Sequence, residues 1–591
     1  MTKNKAVATS PSWDLSDFYS SIKDKKIAAD LKKIDLETKS FSKNFAGKIT
    51  KLEAEKLFKA IEKYQEICEL IGKISCYAQL LYASDLSNQN NIAFYQNTTE
   101  KLSQYEALLI FFTLELNQID DKKLTVLLKN SDLKKYQPFI RDTRSFKKYQ
   151  LSTELEKFSL DKSITGRNAF VRLFDETVNN LEFLYRGKIV NSQKIFDLLS
   201  NSDEKIRKEA AQALGKTLQE NSKTFAFITN ILAKDKSDDD RWRGFASPIS
   251  ARNLSNFVED EVVETLVEKV KENYQAISHR YYKIKAKILG KKQLNHWDRN
   301  APLSKAENKI IPWQEAQDLV LTAYDEFHPE MKKIGKIFFD KKWIDAAVRN
   351  GKDSGAFSHP TIPSVHPYIL MNYQGKIRDV MTLAHELGHG VHQCLASKQG
   401  YLMSGTPLTL AETASVFGEQ LTFQKILKNE KDTKKRKLII AAKVEDMINT
   451  AVRQIAFLEF ERKIHDERKK GEIPLDKICQ FWMEVQKESL GPIFKYSEEY
   501  RFFWSYIPHF IHSPFYVYSY AFGECLVNSL YGVYKSGKVK NFEEKYLQML
   551  QAGGTKHHKE MLTPFGLNAK DPKFWQAGLD VIISYIDQLE K

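Results

Sequence analysis

The stretch "DVMTLAHELGHGVHQ", residues 379–393, places three histidines and two glycines inside one helical pattern. At 3.6 residues per turn, Leu383, Leu387, Val391 and Leu395 form a ridge suited to packing, and His385 and His389 project together from the other side. Gly388 and Gly390 each cost about 1 kcal/mol against alanine within a helix, so the pattern calls for something to approach that backbone closely. Glu386 completes His-Glu-x-x-His, in which two imidazoles one turn apart can bind a single zinc ion while the carboxylate reaches its water. With 13 histidines in 591 residues, about 0.02 such matches are expected by accident. The motif points to hydrolytic zinc chemistry.

The rest of the chain narrows the classes. A length of 591 residues allows more than one folding unit. The start, "MTKNKAVATSPSWDLSDFY", has no apolar run that would serve as a secretory signal, and "ALLIFFTL", residues 107–114, is too short to span a bilayer. A soluble, cytoplasmic protein with no membrane partner is expected. The five cysteines, Cys68, Cys76, Cys394, Cys479 and Cys525, are odd in number and lack Cys-x-x-Cys spacing, so neither a disulfide framework nor a thiolate metal site is expected. The net charge of +14 does not imply a nucleic-acid partner. Lysine and glutamate interleave throughout, and the dense basic run "KNEKDTKKRK", residues 428–437, contains acids and reads as a solvated corner.

Residues 50–235 read as helix almost throughout; "SNSDEKIRKEAAQALGKTLQE" opens with N-cap residues and keeps a stripe of Ile206, Ala210, Ala213 and Leu218. The polar "LSNSDE", residues 199–204, suggests a boundary, giving an N-terminal helical region 1–200 and a catalytic region 201–591. One long helix is expected over 438–470, stopped by Gly471 and Pro474. Between Trp343 and Asn372 the glycines, prolines and short apolar pieces predict loops and one or two strands. A strand over Tyr368–Tyr373 could offer free backbone groups to an extended peptide.

Two histidines leave a catalytic zinc site incomplete, since it takes three protein ligands and keeps a position for water. A metzincin would need glycine at 392 and histidine at 395, where this chain has His392 and Leu395. The alternative is a carboxylate from a second helix, and "TLAETASVFGEQ" supplies Glu412 and Glu419 seven residues apart on one face.

"LAHELGHGVHQ" followed by "AETASVFGE" resembles the oligoendopeptidase F group of the thimet-oligopeptidase-like zinc peptidases. The likeness covers most of the chain, including "SWDLSDFY", "GAFSHP", "IPHFIHSPFYVYSYAFGE" and "LQAGGTKHHKEMLTPFGL". The resemblance implies a mostly α-helical fold of two helical parts enclosing a deep channel, with a short strand region beside the zinc helix. It implies one Zn²⁺ per chain held by His385, His389 and Glu412, with Glu386 as general base and Glu419 orienting the ligands. His392, seven residues from His385, is expected to pack behind the site. In "IPHFIHSPFYVYSYAFGE" the likeness marks Tyr520 and Tyr516 as donors to the oxyanion formed when water attacks a peptide carbonyl. His509 matches the family pattern better than His512.

The resulting reading is a zinc endopeptidase acting inside short peptides. A carboxypeptidase or dipeptidyl carboxypeptidase of the same architecture is the alternative enzyme, and would need a cationic clamp for the substrate terminus. A helical peptide-binding module without chemistry is the alternative outside enzymes, and the intact Glu386 argues against it. The residues specify no oligomeric state.

Overall fold

Helices carry nearly all of the chain in the computed structural model, which describes residues 10–303 and 310–591. Among the described residues, β-structure is confined to three small sheets. The mostly α-helical class expected from the periodicity is the one found. No helix of the described residues is long and apolar enough to cross a membrane. All five cysteines are free, and burial pushes the Cys394 thiol up to about 12, so it carries no thiolate at neutral pH.

Packing divides the chain into two units, each gathered from three stretches: the described parts of 1–150, 308–429 and 537–566, and those of 151–307, 430–536 and 567–591. The chain-order boundary near residue 200 falls within the second unit, in the turn between helices Ser192–Leu198 and Glu204–Arg243.

In the first unit, helices Lys25–Phe45, Ala54–Ser84 and Gln89–Gln118 bury an aromatic core in which Phe41 meets Phe112 at 5.5 Å. The "SWDLSDFY" segment lies on the strand region: Phe18 stacks on Tyr368, and the Tyr368 hydroxyl donates to Asp14 O at 2.7 Å. Tyr368–Leu370 is the middle strand of three, parallel to Ile344–Asp345 and antiparallel to Phe357–His359. It is therefore paired on both sides. This corrects the expectation that Tyr368–Tyr373 offers a free edge; the outer strands are Phe357–His359 and Ile344–Asp345.

From this sheet the chain enters helix Ile377–Ala396, which carries His385 and His389. Asp379 caps its first turn by accepting from the backbone N–H groups of Gln374 at 2.8 Å and Lys376 at 3.0 Å, and its charge complements the helix dipole. Leu383, Leu387 and Val391 are fully buried and Leu395 nearly so; each such side chain contributes about 1.5–3 kcal/mol. The glycines are explained by what crosses them. A Cβ on Gly388 would collide with the Ala414 carbonyl oxygen and lie 2.7 Å from Ser415 Cα, and one on Gly390 would lie 2.6 Å from the Phe338 ring. Helix Leu408–Asn429 thus crosses the histidine helix backbone against backbone.

The second unit is built on the 40-residue helix Glu204–Arg243, capped by the Asp203 side chain and ended by Gly244 at φ +79°. The helix expected over 438–470 is two, Thr433–Thr450 and Val452–Arg468, meeting at Ala451 between β-branched Thr450 and Val452. Ala451 departs from helical values at φ −95° and ψ −67°, yet the hydrogen bonds run on through the joint, from Ala451 N–H to Met447 O and from Ile455 N–H to Ala451 O.

Gly388→Ala should lower stability by about 1–3 kcal/mol, because the forced separation of two helix backbones outweighs alanine's helical preference. Thermal unfolding checks this, and an unchanged or raised Tm would mean that the crossing does not require glycine.

Candidate active site

The crossing at Gly388 brings one face of each helix together. His385 and His389 present Nε2 toward Glu412, whose Oε2 lies 3.3 Å from the first and 3.4 Å from the second. The rings stand 4.9 Å apart, nearly perpendicular. One ligand atom from each of the three residues falls within 4.8 Å of the others, the one such cluster of metal-binding side chains among the described residues. Donors about 2.0–2.1 Å from a tetrahedral ion would stand about 3.3 Å from one another, close to the N···O spacing seen here.

Neighbouring groups hold each of these side chains. Ser415 Oγ–H donates to Glu412 Oε2 at 2.6 Å, and its position one turn on from Glu412 permits this. His385 Nδ1 lies 3.3 Å from Glu419 Oε2; a proton donated there would leave Nε2 free to ligate a cation in place of the proton it shares with Glu412. Burial works against charge on both partners of the pair, yet the contacts prevail. His385 is held well above the usual histidine range by Glu412 and Glu419, and Glu412 well below the usual carboxylate range by the two imidazoles. Donor set, spacing and electrostatics suit a divalent cation of the zinc type.

Glu386 is 7 % exposed, and burial raises its pKa, moderated by the two imidazoles, while the Ser358 N–H hydrogen-bonds its carboxylate. That amide belongs to edge strand Phe357–His359, itself tied to the helix by Gln393 Nε2–H to Ser358 O at 3.1 Å and by Ser358 Oγ–H to Gln393 Oε1 at 2.8 Å. His392 is buried, lies 3.4 Å from the Thr406 hydroxyl and is pushed down to about 4, mainly by burial. It takes no part in the cluster.

The second unit holds the tyrosine group. His509 Nε2 is 3.3 Å from Tyr520 OH, Tyr516 and Tyr520 meet edge to face at 5.1 Å, and His509 stacks on Tyr516 at 5.9 Å. His512 turns elsewhere, to Asp175 Oδ1 at 2.7 Å. The segment between them is clamped from three helices. Arg167 Nη2–H donates to His512 O at 2.6 Å, Arg252 Nε–H to Pro514 O at 3.2 Å, and Asn256 Nδ2–H to Tyr518 OH at 2.7 Å. Phe515, at φ +60°, gives its N–H to buried Glu461 at 2.8 Å. Burial raises Glu461 to about 8. Ser358 and Ser415 lie within the quoted stretches "GAFSHP" and "AETASVFGE" with no role legible there, and Arg167, Arg252, Asn256 and Glu461 stand in no motif; each finds its partner through the fold.

A family model described as peptidase family M3 matches residues 197–581, and one described as oligopeptidase F matches residues 115–183. An oligoendopeptidase F homolog from Borreliella burgdorferi is 30% identical, with all of both chains covered. Oligopeptidase PepF from Bacillus subtilis is 26% identical over 91% of this chain and 81% of its own. The crystal structure of oligoendopeptidase-F from Enterococcus faecium superimposes with a TM-score of 0.73 at 22% identity, covering 96% of this chain and 98% of that one. The histidine helix, the glutamate helix and the tyrosine segment all lie within the longer match, and the chain belongs to peptidase family M3.

Proposed function

We propose that the protein is a zinc-dependent endopeptidase that cuts internal bonds of short peptides. His385, His389 and Glu412 would hold one zinc ion, and Glu386 would serve as general base. The observation that carries this reading is the spacing of one carboxylate oxygen from two imidazole nitrogens, 3.3 and 3.4 Å, at the edge length of a tetrahedral site. When bound, zinc supplies Lewis acidity, polarising a carbonyl and making water acidic near neutral pH.

The protein's own groups do the rest. Glu386 takes a proton from the attacking water and returns it to the leaving amine nitrogen. Its buried position, which raises its proton affinity, suits a group that must both accept and release. The Ser358 N–H fixes the direction of that carboxylate, as Glu419 fixes the ring of His385 and Ser415 the carboxylate of Glu412. Tyr520, Tyr516 and His509 serve as donors to the oxyanion of the tetrahedral intermediate. Burial lowers the pKa of His509, which keeps its imidazole neutral with one N–H to give. His512, engaged by Asp175, is left out of this role. A cytoplasmic enzyme acting on peptides, without nucleic-acid or membrane partners, is consistent with the family and the composition.

Glu386→Gln should keep its zinc and lose nearly all turnover, because the amide preserves shape and removes the base. Metal analysis beside a peptide assay checks this, and loss of metal with activity would remove the assigned role. Glu412→Ala should strip zinc, whereas Glu419→Ala should retain more of it and lose about 10–100-fold in affinity or activity; the opposite order would exchange the two glutamates. Tyr520→Phe should lower kcat about 100-fold with little change in KM, as for a donor engaged mainly in the transition state. An unchanged kcat would return Tyr520 to a packing role.

A further inference from the structure

Within the second unit, a cavity of about 280 Å³ is bordered by two arginines from distant parts of the sequence, Arg299 and Arg453. Neither guanidinium has a carboxylate within ion-pair distance among the described residues. Arg453 lies over the Phe457 ring at 4.8 Å, and Arg299 makes one long contact, Nε–H to Asn300 Oδ1 at 3.4 Å. Of the nearby acids, Glu499 acts on His296 and sets one negative charge against the two guanidiniums, and the others are engaged by other cations. Asp298 accepts from Arg207 at 2.8 Å and Lys291 at 2.6 Å, and Glu445 accepts from Lys285 at 2.8 Å. Positive charge is therefore in excess around the cavity. Arg453 is held down to about 10, by burial and then by the charge of Arg299.

The uncharged polar groups agree in sign. Arg453 Nε, Trp297 Nε1 and His296 Nε2 are buried and have no hydrogen-bond partner. His296 Nδ1 accepts from the Ser497 N–H at 3.5 Å, so its proton sits on Nε2. All three are thus donors buried behind the cavity lining, and with two guanidiniums that meet no carboxylate they favour negative charge in the cavity. Aromatic rings of Trp482, Tyr500, Phe503 and Tyr506 complete the lining. The volume is near the lower end of ligand pockets, about 300 Å³, which suits one residue and is far more than a monatomic anion needs. The site also neighbours the tyrosine group: Phe457, beneath Arg453, packs on Phe510 at 5.4 Å, and the Arg453 charge acts on His509.

We propose that this cavity binds the C-terminal carboxylate of the peptide substrate, with Arg453 and Arg299 gripping the carboxylate and the aromatic walls receiving the terminal side chain. A planar guanidinium fork matches a carboxylate in two parallel hydrogen bonds, and one negative charge offsets the repulsion between the two arginines. The proposal rests on the peptidase reading for the identity of the ligand, and on the cavity alone for its chemistry.

The test uses zinc-loaded enzyme and pairs of peptides identical except for a free or amidated C-terminus. The free acid should show a KM at least about 10-fold lower in the wild type, and the ratio should fall to within about twofold in Arg453→Gln and in Arg299→Gln. Trp297→Phe, which removes one donor and keeps the ring, should lower the ratio about threefold and serves if an arginine variant fails to fold. Calorimetry with N-acetylphenylalanine, a carboxylate with no bond between residues to cut, should show saturable binding that Arg453→Gln abolishes. If no peptide is cut, the peptidase reading falls alone, and calorimetry with the uncut acid and amide peptides still decides the cavity. Equal behaviour of acid and amide in the wild type overturns the proposal. Binding of N-acetylphenylalanine alongside equal acid and amide values would assign the cavity to a free carboxylate and overturn the peptide terminus as its ligand.

Discussion

Two helix backbones touch at Gly388, and the site depends on that contact. A side chain there would strike the Ala414 carbonyl oxygen and press on Ser415 Cα. Only with that separation closed can Glu412, one turn before Ser415, bring an oxygen within 3.4 Å of two imidazoles carried by the other helix. The buried leucine and valine ridge pulls the histidine helix into the unit, and the glycine permits the last approach. Short-range ligand spacing is thus set by packing before any ion arrives, which limits the reorganisation that binding must drive.

The same logic of support recurs in both units. Glu412, His385 and Glu386 are each fixed by a further group, namely Ser415, Glu419 and the Ser358 amide. In the second unit the backbone from His512 to Phe515 is held by Arg167, Arg252 and Glu461, and Asn256 holds the Tyr518 hydroxyl, which restrains the turn from which Tyr516 and Tyr520 project. Phe515 adopts the left-handed region there without being glycine, at an energetic cost that the Glu461 hydrogen bond offsets.

What could be read from the sequence followed from local periodicity. The pitch of residues 379–393 separated the packing ridge from the histidine face, and the cost of two glycines signalled a close neighbour, which the structure identifies as Ala414–Ser415 and Phe338. Spacing alone left Glu412 and Glu419 equivalent; their distinction came from family likeness, and the coordinates give it a basis, since Glu412 faces both Nε2 atoms while Glu419 faces Nδ1 of His385. Tertiary features escaped. Strand order cannot be read along one chain, so Tyr368–Leu370 proved to be the central strand, paired on both sides. Continuous helical periodicity hid the break at Ala451, because the apolar spacing runs through a single residue of irregular backbone. Arg299 and Arg453 meet at one cavity only through the fold, and nothing near either residue announces the other.

The central claim is that two imidazoles and one carboxylate of this chain hold zinc. X-ray absorption at the zinc edge of the purified, zinc-loaded protein measures that shell directly. The account predicts two imidazole nitrogens and one or two further oxygens at about 2.0–2.2 Å, with no sulfur at about 2.3 Å. Sulfur ligation, a single imidazole, or a six-oxygen shell of loosely held metal would contradict it.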